Sequence, residues 1–111
     1  MKYVLYYHIF VTDHPQAFEI INEQIDTIKN SVLHHQYLDS IQCCISGNVM
    51  ENYCKVNEII SNLDNNKFRI RYSKFNDQTS ERMTLNRLMS DVQADTHYLY
   101  IHSKGVSIQN Q

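Results

Sequence analysis

The stretch Lys-Tyr-Val-Leu-Tyr-Tyr-His-Ile-Phe-Val, residues 2–11, decides the fold class of this chain. It is a nearly unbroken run of β-branched, aromatic and aliphatic residues, which is typical of a strand covered on both faces. Strands of this kind lie inside parallel sheets, because helices then cover both faces. The sequence therefore predicts an α/β protein with this strand in the middle of its sheet.

Further apolar segments alternate with helical patterns along the rest of the chain. Strands are expected at residues 39–45, 68–72 and 97–102. The segments between them carry apolar residues at spacings of three and four, as amphipathic helices do. The expected buried stripes are Phe18, Ile21, Ile25, Ile28 and Val32 in the first helix, Tyr53, Val56, Ile60 and Leu63 in the second, and Leu85, Leu88, Met89 and Val92 in the third.

The order of the strands follows from these elements. Helices between successive strands require parallel pairing with right-handed crossovers. Residues 68–72 alternate apolar with basic side chains, which is typical of an edge strand. A three-layer, Rossmann-like sheet of order 3-2-1-4 is the economical solution. Its expected core is Leu5, Tyr7, Ile21, Ile25, Ile28, Ile41, Cys43, Ile60, Leu85, Leu88, Leu99 and Ile101.

The fourth strand is too apolar for an exposed edge. We therefore expect residues 1–111 to be one truncated half-domain, whose fourth strand pairs with a missing C-terminal half or with another copy.

The composition of the chain excludes several classes of function. The 111 residues include 10 basic and 12 acidic side chains, well mixed, which gives no footprint for nucleic acid or an anionic membrane. The apolar N-terminal run is too short to span a bilayer, so a cytoplasmic protein is expected. With two glycines, the chain has neither a G-x-G-x-x-G motif nor a P-loop. Asp13 lacks the neighbouring acid that a receiver-type phosphoacceptor site needs.

The histidine, cysteine and acidic residues do not form a metal-binding motif in the sequence. There is no C-x-x-C pair, and Cys43, Cys44 and Cys54 are expected to be reduced core residues. The adjacent pair His34-His35 is expected at a solvated helix end, because its two rings diverge by about 100° on a helix. His8 is expected to be a hydrogen-bonded core or rim residue. Asp91 and Asp95 are expected at another solvated helix end.

The segment Tyr98–Ser107 carries the candidate site. An apolar strand here runs directly into His102, Ser103, Lys104 and Gly105. Ligands of open parallel sheets bind beyond the carboxyl ends of the strands. Lys104 would supply a cation there and Gly105 a close backbone approach, while His102 is either a site residue or a structural turn residue.

Four pieces of this sequence together resemble a known family. They are Tyr7-His8-Ile9-Phe10, Glu23-Gln24 with Ile28 and Ser31, Thr84-Leu85, and Tyr100-Ile101-His102-Ser103-Lys104-Gly105-Val106-Ser107. The chain resembles the glycosyltransferase-like proteins of bacteria and large DNA viruses that carry a Tyr-Ile/Leu-His-Thr-Lys-Gly-Val-Ser signature. The resemblance covers essentially all 111 residues, and its last motif is the specific one.

The resemblance implies the donor-binding part of a GT-A transferase, which moves a sugar from a nucleotide-sugar to an acceptor hydroxyl. The donor would lie at the carboxyl ends of the first and fourth strands. Phe10, Val11 and Thr12 would line its base and ribose side, and His102, Lys104 and Gly105 would face the diphosphate. Members of the family continue into an acceptor half, so the fragment is expected to be inactive alone, and its catalytic base is unknown.

The cofactor and one alternative function stay open. The sequence lacks the Asp-x-Asp motif with which GT-A enzymes hold Mn²⁺ or Mg²⁺. Without such an ion, positive side chains and backbone N–H groups must take the charge of the leaving diphosphate. The alternative is a non-catalytic α/β binding or interaction domain that retains only the fold.

Overall fold

The computed structural model describes residues 2–31, 33–63, 66–76 and 81–103. Strands and helices alternate, as expected. The strands are β1 Lys2–Val11, β2 Leu38–Gly47, β3 Phe68–Phe75 and β4 Thr96–His102; the helices are α1 Ala17–Lys29, α2 Met50–Ser61 and α3 Glu81–Asp91. A single π-helical turn, Leu33–Tyr37, leads into β2.

The four strands form one parallel sheet of order β3-β2-β1-β4. This confirms the predicted strand order and the α/β, Rossmann-like class. The long apolar strand β1 pairs with β2 from Tyr3 to Val11 and with β4 from Lys2 to His8. β1 is therefore interior, because both of its edges are used.

Alternation along β1 divides the sheet into two unlike faces. The face that includes Tyr7, Ile9 and Val11 packs with α1 and α2 into an apolar core. The opposite face bears Tyr6 and His8 and packs on α3, through polar contacts. Eight of the predicted core residues are buried, namely Leu5, Tyr7, Ile21, Ile25, Ile28, Ile41, Cys43 and Ile60.

Helix α1 is shorter than its apolar stripe predicted. It ends at Lys29, and Val32, the last residue of the predicted stripe, lies outside the described residues. The π-helical turn follows, and within it His34 is buried against the Phe68 ring, with centroids 6.2 Å apart. The prediction of a solvated helix end is wrong for His34, because the π-helical turn places its ring against Phe68 of β3, while the side chain of His35 lies outside the described residues.

The prediction of which side of helix α3 is buried is wrong. Met83 and Thr84 are its buried residues, Leu88 is half-buried, and Leu85, Met89 and Val92 are exposed. The reason is that the sheet beneath α3 is polar, and polar helix residues make the contacts with it. Leu99 and Ile101 of β4 are also only half-buried, since β4 is the last strand of the described sheet.

The remaining sequence predictions have mixed outcomes. β3 is an edge strand with mostly exposed side chains, as predicted. Cys43 and Cys44 are buried free thiols, whereas Cys54 is exposed on α2, which corrects its assignment to the core. Within the described part of the chain, no helix is both long and apolar enough to cross a bilayer.

Candidate functional site

The carboxyl ends of β1 and β4 are joined beyond the regular strand pairing. The last pair of the ladder is His8 with His102. Past it, the backbone N–H of Ser103 donates to the carbonyl of His8 at 3.0 Å. The Ser103 hydroxyl in turn accepts a hydrogen bond from the backbone N–H of Phe10, also at 3.0 Å. Because Ser103 is only 1% exposed, these two bonds fix the rim in one geometry.

The strand order reverses beside β1, because β2 and β3 lie on one side of it and β4 lies on the other. β1 leads into α1, which packs with α2 on the apolar face. β4 is reached through α3, which lies on the other face. Such a reversal of strand order is a topological switch point, and open α/β sheets bind ligands beyond the carboxyl ends of the strands there. We call the residues Phe10, Thr12, His102 and Ser103 the β1/β4 rim.

The loop that leaves β1 is held by polar contacts. The hydroxyl of Thr12 accepts a hydrogen bond from the backbone N–H of His14 at 3.2 Å. The carbonyl of Thr12 accepts another from the side-chain amide of Asn52 on α2, at 3.1 Å. Thr12 is thus positioned before any ligand arrives, which lowers the ordering cost of binding.

Helix α1 supports the β4 side of the rim. The side-chain amide of Gln24 donates to the carbonyl of His102 at 3.3 Å. The buried Tyr7 hydroxyl donates to the other end of the same amide at 2.5 Å. Burial raises the pKa of Tyr7, so this hydroxyl keeps its proton and remains a donor. Gln24 of α1 is therefore hydrogen-bonded to both β1 and β4, next to the β1/β4 rim.

His8 lies beneath the rim on the face that meets α3. Its ring is 1% exposed, and Nδ1 lies 2.8 Å from the hydroxyl of Thr84 on α3. The prediction of a hydrogen-bonded core or rim histidine is confirmed. This contact docks the first turns of α3 onto β1.

The end of β2 approaches β1 more closely than most side chains would allow. A Cβ placed on Gly47 would lie 2.9 Å from the carbonyl oxygen of Val11. The N–H of the following residue, Asn48, donates to that same oxygen at 3.2 Å. Glycine is required at position 47 because a backbone oxygen occupies the space of its side chain.

The structure brings three of the predicted site residues to one edge. Phe10 and Thr12 follow one another at the end of β1, and His102 ends the adjacent β4. All three are partly exposed, as a ligand-facing residue must be. Lys104 and Gly105, the other two predicted site residues, lie outside the described part of the chain.

Sequence reasoning missed the structural role of Ser103. The one sequence signal for this role is the position of Ser103. It is a small polar residue directly after an apolar strand, where an extra hydrogen bond can extend the strand pairing. The partners of Ser103 lie 93 and 95 positions away in the sequence, so spacing alone could not identify them.

A second polar cluster lies on the α3 face, at the amino-end half of the strands. The guanidinium of Arg71 donates twice to the carboxylate of Asp91, at 2.9 and 3.0 Å, and Tyr6 donates to the same carboxylate at 2.5 Å. The Arg71 hydrogen bonds hold the pKa of Asp91 below its ordinary value. The expectation that Asp91 is merely solvated is wrong, because residues of β1 and β3 reach it; Asp95 is exposed, as expected.

Two cavities in the described part of the chain lie away from the rim. One of about 240 Å³ lies beside the Asp91 cluster. A larger one of about 520 Å³ lies between α1 and α2, lined by Phe18, Asn22, Lys55, Glu58, Ile59 and Asn62. The Lys55 cation in this groove already pairs with Glu51 at 3.3 Å and lies 5.7 Å from the centre of the Phe18 ring. Its charge is therefore partly satisfied within the protein.

Metal ligands do not converge in the described ranges: there, no three His, Cys, Asp or Glu side chains come together in a group that could hold an ion. Comparison with known proteins adds no assignment, since no family model, curated protein or solved structure matches this chain.

Proposed function

We propose that this chain is the donor-binding part of a glycosyltransferase of the GT-A type, and that it holds a nucleotide-sugar at the β1/β4 rim. The observation that carries the proposal is the reversal of strand order between β1 and β4, next to the Phe10–Ser103 hydrogen bond. This is the position at which open α/β sheets take nucleotides. The motif that runs from Tyr100 to Ser107 in the sequence includes His102 and Ser103 of the rim.

Each rim residue has a role suited to its chemistry. Phe10 and Thr12 are partly exposed at the end of β1, where an aromatic ring and a hydroxyl suit the base and ribose of the donor. His102, at the end of β4, would face the diphosphate, and Lys104 and Gly105, which follow it in the sequence, are proposed to act with it. The chain would contribute binding and orientation, while the acceptor hydroxyl and its base come from elsewhere.

Sugar transfer requires positive charge near the departing diphosphate. When the acceptor hydroxyl attacks the sugar carbon, the bond to the nucleoside diphosphate breaks and negative charge grows on the departing phosphate oxygen. A lysine cation and backbone N–H groups stabilise that charge best when they are already oriented. Lys104 is the cation that the sequence places directly after the rim.

Calorimetry with uridine and guanosine diphosphate-sugars tests the proposal. Lys104→Met should weaken binding roughly ten- to a hundredfold, since a hydrogen bond to a charged group contributes about 1.5–3 kcal/mol. Lys55→Met is the matched control, because Lys55 lies in the groove between α1 and α2. Unchanged affinity in Lys104→Met would remove that lysine from the site. A loss in Lys55→Met instead would move the site to the groove.

A further inference from the structure

A polar cavity lies at the amino-end half of the strands, on the sheet face that bears Tyr6 and meets α3. Its volume is about 240 Å³, and its lining includes Lys2, Asp39 and Thr96 from the beginnings of β1, β2 and β4. Asp91, at the end of α3, lines it as well. The β1/β4 rim lies at the opposite, carboxyl ends of the same strands, so this cavity is a separate place in the fold.

Positive charge is in excess in this cavity. Three cations line it, Lys2, Arg69 and Arg71, against two carboxylates, Asp39 and Asp91, which leaves one positive charge uncompensated. Arg71 and Asp91 are already paired with each other. Within the described ranges, neither Lys2 nor Arg69 has a carboxylate at ion-pair distance. The cavity therefore offers two unpaired cations against the single exposed carboxylate of Asp39.

A buried hydroxyl in the cavity lining has an unused proton. Ser40 is only 3% exposed and lines the cavity. Its hydroxyl accepts a hydrogen bond from the side-chain amide of Gln42 at 2.9 Å, and it donates to no group in the part of the chain that the structure describes. Buried hydroxyls ordinarily find partners for their polar atoms. A ligand atom that accepts hydrogen bonds would therefore satisfy Ser40.

The strand register brings this hydroxyl and a free guanidinium to one wall of the cavity. Gln42 of β2 pairs with Arg69 of β3, and neighbouring strands lie about 4.8 Å apart. The side chains of both residues line the cavity, and Gln42 is bonded to Ser40. A guanidinium presents parallel N–H groups that match the two oxygens of a carboxylate. This wall thus combines a fork of donors with a buried hydroxyl donor.

We propose that this cavity binds a small carboxylate anion, whose oxygens accept hydrogen bonds from the Arg69 guanidinium and the Ser40 hydroxyl. The excess of one positive charge suits a monoanion, and Asp39 disfavours a second negative charge on the ligand. A volume of about 240 Å³ is below the roughly 300–1,000 Å³ typical of pockets for drug-sized ligands, so the anion is small. The proposal is independent of nucleotide-sugar binding, since it uses the other half of the strands.

An NMR titration of the full chain with sodium acetate tests the site, with sodium chloride at equal concentration as the reference. Acetate should shift the backbone amide signals of Ser40, Gln42 and Arg69 in a saturable manner, and chloride should not. Arg69→Met should weaken acetate binding roughly tenfold or more, because it removes a charge-assisted hydrogen bond. Arg82→Met is the matched control, since Arg82 is exposed on α3 and outside the cavity lining. Absence of acetate-specific saturation, or equal weakening in both variants, would overturn the proposal.

Two conservative variants and a second anion identify what the cavity recognises. Asp39→Asn should tighten acetate binding, because it removes the one opposing charge that is not paired. Arg69→Lys should weaken it, since lysine keeps the charge and loses the fork. Inorganic phosphate at pH 8, where it is a dianion, should bind more weakly than acetate. Tighter binding of phosphate, or full acetate affinity in Arg69→Lys, would contradict recognition of a carboxylate by Arg69.

Discussion

The hydroxyl of Ser103 accepts a hydrogen bond from the backbone N–H of Phe10 at 3.0 Å, one step beyond the last regular pair of β1 and β4. Ser103 is buried, so the N–H of Phe10 would have to find water or remain without a partner if the hydroxyl were removed. The candidate site depends on this contact, because it extends the pairing of β1 and β4 past the pair His8 and His102.

Replacing Ser103 tests that dependence. Ser103→Ala should lower the free energy of unfolding by about 1–3 kcal/mol, which is the cost of a buried donor without its partner. Ser90→Ala is the control, because Ser90 donates to the Arg87 carbonyl at an exposed position and its loss should change stability by less than about 0.5 kcal/mol. Urea denaturation measures both. Equal stability of the two variants would show that the Phe10–Ser103 bond contributes nothing.

The Asp91 carboxylate should make stability depend on pH in acid. Its pKa in the folded chain lies below the ordinary value of 3.8, because Arg71 and then Tyr6 donate hydrogen bonds to the charged form. The unfolded chain therefore binds more protons in this range, and stability falls as pH drops through the folded pKa. The stabilisation is complete above the unfolded value, near pH 4, and absent well below the folded one.

Asp91→Asn removes this titration. Measured by urea denaturation at several pH values, the variant should be less stable than the wild type at pH 7 by about 1–3 kcal/mol. The difference should shrink steadily as pH is lowered below 4. A difference that stays constant down to pH 2 would mean that the Asp91 carboxylate is not the titrating group.

Truncation to alanine should lower the free energy of unfolding strongly at Ile25 and hardly at all at Met89. Ile25 is buried in the core between α1 and the sheet, so Ile25→Ala should cost about 2–5 kcal/mol through lost burial and a cavity. Met89 is exposed on α3, so Met89→Ala should change the free energy of unfolding by about 0.5 kcal/mol or less. A large loss in Met89→Ala would restore the original prediction that this side of α3 is core.

Strand order was predictable from the sequence for a simple reason. Residues 2–11 are apolar on both faces and residues 68–72 on one, so burial alone places β1 inside the sheet and β3 at its edge. The core under α1 and α2 was predictable because one apolar stripe there faces an equally apolar sheet surface.

Helix α3 could not be oriented in the same way. Its periodicity marks Leu85 and Met89 as the buried side, but the sheet offers Tyr6 and His8, whose polar atoms bind Asp91 and Thr84. These partners are more than seventy positions apart along the chain, and a local pattern holds no information about them. The hydrogen-bond partners of Ser103 are equally distant in the sequence and could not be predicted either. The positions of the strand ends that form the rim were predictable, because the end of an apolar strand is a local feature.

The most direct test of the central claim is an NMR titration of the full chain with uridine diphosphate and, separately, guanosine diphosphate. Binding at the β1/β4 rim should shift the backbone amide signals of Phe10, Thr12 and His102 in a saturable manner and leave those of α2 unchanged. If the amides at the rim do not move with either nucleotide, or if the shifts centre on Phe18 and Lys55 in the groove between α1 and α2, the rim is not the nucleotide site.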